Sequence, residues 1–144
     1  MSENGTKIIV IGASAAGLRA AARARRCLPA ASITVIDESA YISYGACGMP
    51  YVVSGDIGGV KALQETPYGV VRDPDFFRGT KGLDVRIETR VERIDRKAQK
   101  VFCRSVQSGE ESEYFYDKLV LATGASPIML PGIPQQNARI TTFK

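Results

Sequence analysis

The feature that most constrains this chain is a strand, a glycine-rich turn, a helix and a second strand within its first 37 residues. Residues 7–11 read Lys-Ile-Ile-Val-Ile, a β-branched run typical of a strand buried on both faces. The turn at residues 12–17 leads into an Ala-, Arg- and Leu-rich helix that we expect over residues 15–28, because Pro29 cannot continue it. Residues 33–36 form a second buried strand. This order predicts the first half of a doubly wound parallel sheet.

The turn matches a Gly-x-Gly-x-x-Gly pattern with serine at its middle position, and its residues are Gly12, Ala13, Ser14, Ala15, Ala16 and Gly17. Gly12 allows a tight turn, and Gly17 allows the helix to pack closely on the strand. The N–H groups at the helix N-terminus would receive a pyrophosphate. Asp37, with Glu38 beside it, lies 20 residues after Gly17, where a carboxylate accepts hydrogen bonds from ribose hydroxyls. The pattern therefore predicts a Rossmann-like dinucleotide site; the alternative is a tight turn that binds nothing and a surface aspartate.

Two further helical segments are expected in the middle of the chain. Residues 43–54 predict a helix that Pro50 distorts, and the glycine-rich residues 55–69 predict mostly irregular structure. Asp73 followed by proline predicts an N-cap and a short helix that ends near Lys81.

The second half of the chain has a β pattern. Residues 85–92 alternate between apolar and polar side chains. Further strands are expected around residues 100–105 and 112–116, joined by a glycine-containing turn at 108–110, which predicts an antiparallel meander. Residues 118–122 predict a return to a buried strand. The fold class is therefore α/β, a parallel sheet with helices plus a small antiparallel β insertion. Residues 140–144 have a strand pattern, so we expect a fragment of a longer domain.

Composition excludes several classes of protein. The chain has no histidine, so it holds no Ser-His-Asp triad, no Cys-His pair and no histidine zinc site, and we assign no metal-binding residue. A net charge of +4 is too small to indicate a nucleic-acid partner. We expect neither a membrane span nor a signal peptide, because no long apolar run is present and the N-terminus is polar. Three cysteines without CxxC spacing favour a reducing, cytoplasmic setting.

Among the three cysteines, Cys47 is the candidate for chemistry. It lies near the start of the helix expected at residues 43–54, and the positive end of a helix favours a thiolate. Cys27 and Cys103 are expected to be small buried side chains without a redox role.

The sequence Ser43-x-x-x-Cys47-Gly-Met-Pro-Tyr51 lies between the glycine turn and a strand that ends in Ala-Thr-Gly at residues 122–124. This combination resembles the single-cysteine branch of the FAD-dependent pyridine nucleotide-disulfide oxidoreductases, over residues 7–143. The branch includes coenzyme A (CoA)-disulfide reductases, CoA-persulfide reductases and NADH oxidases or peroxidases. The resemblance implies that FAD lies near Thr123 and Gly124, and that the backbone of Val91 contacts the adenine.

The resemblance also implies which domains accompany this segment. The 144 residues would be the N-terminal part of an FAD-binding domain. NAD(P)H would bind a domain that this chain does not contain, and a further domain would make the full-length protein a homodimer. The fragment alone is expected to be inactive.

The residue types around Cys47 favour CoA as the source of the second sulfur. Position 43 is serine and no partner cysteine is nearby, so a disulfide of Cys47 would be intermolecular. Three arginines on the first helix share one stripe, and the resemblance implies a set of CoA-contacting positions: Arg19, Arg23, Arg26, Ser43, Ala46 and Lys81. Guanidinium groups bind phosphates well, although the stripe could instead be a solvated helix face.

These observations predict an FAD-dependent NAD(P)H oxidoreductase that reduces CoA disulfide or CoA persulfide through a mixed disulfide between Cys47 and CoA. One alternative is an NADH oxidase or peroxidase that uses a Cys47 sulfenate. An alternative of another class is a flavin- or nucleotide-binding module without catalytic activity.

Overall fold

In a computed structural model, residues 5–128 and 131–132 are described. The helices are α1 (Ala15–Cys27), α2 (Met49–Val53), α3 (Val60–Gln64) and α4 (Pro74–Lys81), and a 3₁₀ turn covers Ala46–Gly48. The strands are β1 (Lys7–Ile11), β2 (Ser32–Ile36), β3 (Asp84–Arg86), β4 (Thr89–Asp95), β5 (Lys100–Ser105), β6 (Glu111–Phe115) and β7 (Lys118–Leu121). The strand expected at residues 140–144 lies outside the described residues.

The strands form two sheets. A parallel sheet has the order β3-β2-β1-β7, and an antiparallel sheet has the order β4-β5-β6. The predicted α/β class, with a parallel sheet and a separate meander, is confirmed. Strand β1 is central, and its residues pair in register with β2 on one side and β7 on the other.

Strand β1 is apolar and buried from Ile8 to Ile11 because both of its faces are covered there. Its alternate residues Ile8 and Val10 belong to the core that contains Leu18 and Ala21 of α1. The intervening Ile9 and Ile11 belong to a second core, with Val101, Cys103 and Tyr116 from the antiparallel section. Each fully buried aliphatic side chain contributes about 1.5–3 kcal/mol. The parallel sheet is therefore enclosed between α1 and the meander.

Helix α4 begins and ends as its sequence predicts. The Asp73 carboxylate accepts a hydrogen bond from the Phe76 N–H at 2.8 Å, and proline occupies the first turn. The helix ends where Gly82 adopts a left-handed conformation with φ 61°. Phe77 is buried on the core side.

The helix expected over residues 43–54 is wrong in its first part. Ser43 has φ 55°, a left-handed conformation that no helix interior uses, and helical structure begins only at Ala46. Pro50 lies in the first turn of α2, where its missing N–H costs nothing, so it does not distort the helix. Residues 55–69 also contain more order than expected, because α3 forms there.

The alternating pattern that begins at Val85 is divided between the two sheets. Val85 lies in β3 of the parallel sheet, whereas Val91 lies in β4 of the antiparallel sheet. The chain changes direction at Glu88, which has φ 50°. The Asp37 backbone holds both sides of this bend, since its N–H donates to the Arg86 carbonyl and its carbonyl accepts from the Thr89 N–H, both at 2.9 Å.

Arg25, for which the sequence predicts no role, links α1 to the segment that follows it and to the end of α4. Its guanidinium donates to the carbonyl oxygens of Pro29 at 2.8 Å, Ala31 at 2.6 Å and Gly82 at 2.7 Å. The Gly82 carbonyl belongs to the left-handed residue that ends α4. Arg25 therefore fixes the C-terminal ends of two helices to each other.

Replacing Arg25 by methionine should lower the free energy of unfolding by about 2 kcal/mol, because three carbonyl groups lose a charged donor. Chemical denaturation followed by circular dichroism measures this change. Arg26→Met is the matched control, since Arg26 is exposed on the same helix. Equal stability of the two variants would contradict this role of Arg25.

Candidate functional site

A cavity of about 430 Å³ lies at the carboxyl ends of β1, β2 and β7. Part of its lining was predicted from the sequence: Gly12, Ser14, Asp37, Glu38, Val91, Thr123 and Gly124. Sequence reasoning missed the rest of it: Ile11, Ile36, Ser39, Tyr41, Tyr44, Thr89, Arg90 and Ala122. In doubly wound sheets this edge is where ligands bind.

The glycine turn allows a close approach that other residues could not make. Gly12 has φ 109°, and a Cβ atom placed on it would collide with the carbonyl oxygen of Ala122. A Cβ atom on Gly17 would collide with the carbonyl oxygen of Gly12. The two glycines therefore bring β1, α1 and the end of β7 together, and the N-terminus of α1 opens onto the cavity through Ser14.

The N-terminus of α1 is able to receive an anion. Ser14 is the N-cap residue, and its side chain makes no capping hydrogen bond in the described structure. The N–H groups of the first helical turn have no partner within the helix, and they carry the positive end of its dipole. Ala15 and Ala16 are exposed in this turn, whereas Ala13 and Gly17 are buried behind it. This donor set suits the pyrophosphate of a dinucleotide.

Asp37 has a structural task beside the predicted ribose contact. One of its carboxylate oxygens accepts from the Ala13 N–H at 2.5 Å, and the other accepts from the Ser39 N–H at 2.8 Å. A carboxylate has about four acceptor positions, so bonds to two ribose hydroxyls remain possible. Glu38 and Arg90 form an exposed ion pair at 3.6 Å, which adds little stability.

Cys47 is exposed in the 3₁₀ turn and does not line the cavity. Its loop is nevertheless joined to the glycine turn, because the Ser43 N–H donates to the Ala13 carbonyl at 2.9 Å. Tyr44, in the same loop, lines the cavity. The prediction that Cys47 lies near the start of a helix over residues 43–54 is wrong, since α2 has 5 residues and begins after Cys47.

The arginine stripe lies on the solvent side of α1. Arg19, Arg23 and Arg26 are exposed, and no ion pair involves them within the described residues. Lys81 is also exposed, and it precedes Gly82, whose carbonyl is bonded to Arg25 of α1. The Arg25 contact therefore brings Lys81 to the C-terminal half of α1, whereas Ser43 and Ala46 lie in the Cys47 loop. A role of these residues in substrate binding stays a prediction.

The other two cysteines differ from each other. Cys27 is exposed at the end of α1, so the expectation that it is buried is wrong. The reason is that Cys27 is the last residue of α1, whose buried residues Gly17, Leu18 and Ala21 all lie in its first half. Cys103 is buried in the second core, and burial raises the pKa of its thiol to about 11.

The chain belongs to a known family of flavin enzymes. The family model described as pyridine nucleotide-disulphide oxidoreductase matches residues 6–144. Members of this family use FAD and NAD(P)H. No helix in the described part of the chain has the length and apolar character needed to cross a membrane.

Three comparisons illustrate the similarity. An NADH oxidase of Methanocaldococcus jannaschii is 35% identical over 125 residues, 87% of this chain and 26% of the relative. An NAD(P)H coenzyme A polysulfide/persulfide reductase of Pyrococcus horikoshii is 33% identical over 133 residues, 92% of this chain and 27% of the relative. The structure of an NAD-dependent persulfide reductase from A. fulgidus is 46% identical with a TM-score of 0.82, covering 87% of this chain and 23% of that one. The chain thus spans about a quarter of the length of these relatives.

The burial of Cys103 predicts selective chemical labelling. At about pH 8 a thiol reagent should modify Cys27 and Cys47 and leave Cys103 unmodified, because the raised pKa of Cys103 keeps it protonated and the core excludes the reagent. Peptide mass spectrometry measures the extent of labelling at each cysteine. All three should react after denaturation, which is the control. Rapid labelling of Cys103 in the folded protein would contradict its placement in the core.

Proposed function

We propose that this chain is the N-terminal part of the FAD-binding domain of an NAD(P)H-dependent reductase of CoA disulfide or CoA persulfide. The observation that carries the proposal is the hydrogen bond from Ser43 to Ala13, which joins an exposed cysteine loop to the turn of a dinucleotide cavity. The names of the two persulfide reductases support the substrate class. The NAD(P)H-binding and dimerisation domains would lie outside this chain, and the full-length protein would be a cytoplasmic homodimer.

The cavity fits the adenosine and pyrophosphate parts of FAD. The helix N-terminus at Ser14 would hold the pyrophosphate, Asp37 would accept from the ribose, and the Val91 backbone would contact the adenine. Glu38 lies at the rim of the same cavity, and Thr123 and Gly124 would line the path toward the flavin. When bound, FAD supplies a relay for two electrons from NAD(P)H to sulfur.

Cys47 is the residue proposed to react with the substrate. Its thiolate attacks a sulfur of CoA disulfide, the S–S bond breaks, and one CoA thiolate leaves, so that a Cys47–S–S–CoA mixed disulfide remains. With CoA persulfide, attack on the sulfur bonded to CoA gives the same mixed disulfide and releases hydrosulfide. Two electrons that originate from NAD(P)H then break the mixed disulfide and return the thiolates of Cys47 and CoA. The exposure of Cys47 supports this chemistry, because the partner sulfur comes from solution.

The cationic residues are proposed to bind the phosphates of CoA. Arg19, Arg23 and Arg26 share a stripe of α1, and Lys81 joins this side of the molecule. Ser43 and Ala46 would contact the part of CoA nearest to its sulfur, since they flank Cys47 in its loop.

A second candidate is an NADH oxidase or peroxidase, which the name of the Methanocaldococcus relative favours. Cys47 would then be oxidised by peroxide to a sulfenate, with release of water, and be reduced back to a thiolate by electrons from NADH. In a module without catalytic activity, neither acceptor would be consumed.

The exchange Cys47→Ser should lower NAD(P)H-dependent reduction of CoA disulfide and CoA persulfide by at least about a thousandfold, because serine forms no disulfide. Bound FAD and electron transfer to ferricyanide, which needs no thiol, should be retained. The full-length protein is assayed by NAD(P)H oxidation with each acceptor, and Cys27→Ser serves as the control. Normal turnover of both CoA substrates by the Cys47 variant would refute the proposed function, and turnover of oxygen or peroxide alone by the unaltered protein would favour the second candidate.

Reversal of charge on the stripe should weaken CoA binding selectively. Arg23→Glu should raise KM for CoA disulfide by about tenfold or more, because a phosphate loses a charge-assisted hydrogen bond and gains a repulsion. The KM for a small disulfide without phosphates should change little. Arg96→Glu, at an exposed position of the β4–β5 turn, is the matched control. A solvated helix face without a binding role would give the same KM in both variants.

A further inference from the structure

The loop that carries Cys47 lies against a second loop formed by α3 and the residues after it. Leu63 of α3 is buried, and its carbonyl accepts from the Gly45 N–H at 3.0 Å. The Leu63 side chain contacts Gly48 so closely that a Cβ atom there would lie 2.5 Å from its Cδ2 atom. Leu63 therefore holds the 3₁₀ turn of Cys47 at both ends, by a backbone hydrogen bond at one end and by packing at the other.

Gln64 holds the start of the same loop. Gln64 is polar, yet only 8% of it is exposed. Its side-chain amide donates to the Ile42 carbonyl at 2.9 Å. Ile42 is itself 1% exposed. Burial of an amide is unfavourable without a hydrogen bond, so this contact specifies where the loop leaves the core.

Arg72 fixes the end of α3 in turn. Its Nε–H donates to the Gln64 carbonyl at 2.9 Å and its Nη2–H donates to the Leu63 carbonyl at 3.3 Å. The backbone N–H of Arg72 also donates to the Gln64 carbonyl, at 3.1 Å. Carbonyl groups at the end of a helix lack partners within it, and a guanidinium supplies them here.

The conformation of Ser43 explains why such support is needed. Its φ of 55° is unfavourable for a residue with a side chain and persists only where neighbouring contacts impose it. The bond from Gln64 to Ile42 precedes Ser43, and the bond from Gly45 to Leu63 follows it. Together with the bond from Ser43 to Ala13, these contacts set the direction in which the chain continues to Cys47.

We propose that Gln64 and Arg72 are positioning residues for Cys47, which hold its loop so that the thiol meets both the electron carrier and the substrate sulfur. The proposal rests on the proposed role of Cys47 in sulfur reduction. Neither side chain touches the reacting sulfur; each acts through the backbone of residues 42–48.

Hydrogen exchange tests the structural half of the proposal in the full-length protein loaded with FAD. Gln64→Met removes the bond to Ile42, and Arg72→Met removes the side-chain bonds that hold Leu63 and Gln64 against the loop. Each variant should lower the protection of the amides in residues 42–48 by at least about tenfold. Gln107→Met, at an exposed position, is the matched control and should leave these amides unchanged. Arg72→Lys keeps a charged donor and should retain most of the protection, and the Arg72 pair carries the test if Gln64→Met does not fold.

Steady-state kinetics tests the functional half. Gln64→Met and Arg72→Met should lower kcat with CoA disulfide by at least about tenfold and leave KM within about twofold, while electron transfer to ferricyanide, counted per bound flavin, stays unchanged. Arg72→Lys should restore most of kcat. An equal loss of rate with CoA disulfide and with ferricyanide would mean that the two residues have a general structural role, and it would overturn the proposal. Unchanged hydrogen exchange together with an unchanged kcat would also overturn it. If Cys47→Ser retained full activity, the proposed function would fail, whereas the exchange result would still report on the loop.

Discussion

The contact between Gly12 and the end of β7 is the constraint on which the rest of the structure depends. At this point the chain leaves β1 with φ 109° and passes so close to the Ala122 carbonyl that no side chain fits between them. Hydrogen bonds from Gly12 to Ile36 and from Ala122 to Ile11, both 2.8 Å, tie the ends of three strands together. Because α1 starts directly after this turn, its N-terminus opens onto the sheet edge where the cavity lies.

The parts of the fold that depend on local pattern could be predicted from the sequence. β-branched runs, the glycine turn and the Asp-Pro start of α4 each determine their structure within a few residues. Residues 43–46 could not be predicted, because their conformation is imposed by Ala13 and Gln64, which are distant in sequence. The alternation from Val85 to Val91 shows one polar face, but it carries no information on which sheet each residue joins or that the chain bends at Glu88.

The same distinction applies to the site. Motif spacing was sufficient to predict that Gly12, Asp37 and Thr123 lie close together, because the topology of parallel strands determines where the strand ends meet. All three residues line one cavity. Tyr44 lines the cavity because of the path of its loop, and Arg90 does so because the chain bends at Glu88 before it enters β4. Gln64 looks in the sequence like any polar residue of a short helix. The hydrogen bond that Asp37 accepts from the Ala13 N–H depends on a turn geometry that the motif alone does not specify.

Dinucleotide binding and thiol chemistry require different surroundings, and the cavity and Cys47 lie at different places in the structure. A dinucleotide cavity requires preorganised donors in a cleft, whereas a thiol that reacts with a sulfur from solution must remain accessible. Cys103 shows what burial does to a cysteine, since it keeps the thiol protonated well above neutral pH. Cys47 instead lies on an exposed turn, where a sulfur from solution can reach it, and it lacks the rigidity of a core position. The hydrogen bonds from Gln64 to Ile42 and from Ser43 to Ala13 hold the loop in one conformation. Cys47 can therefore be exposed and still have a defined position.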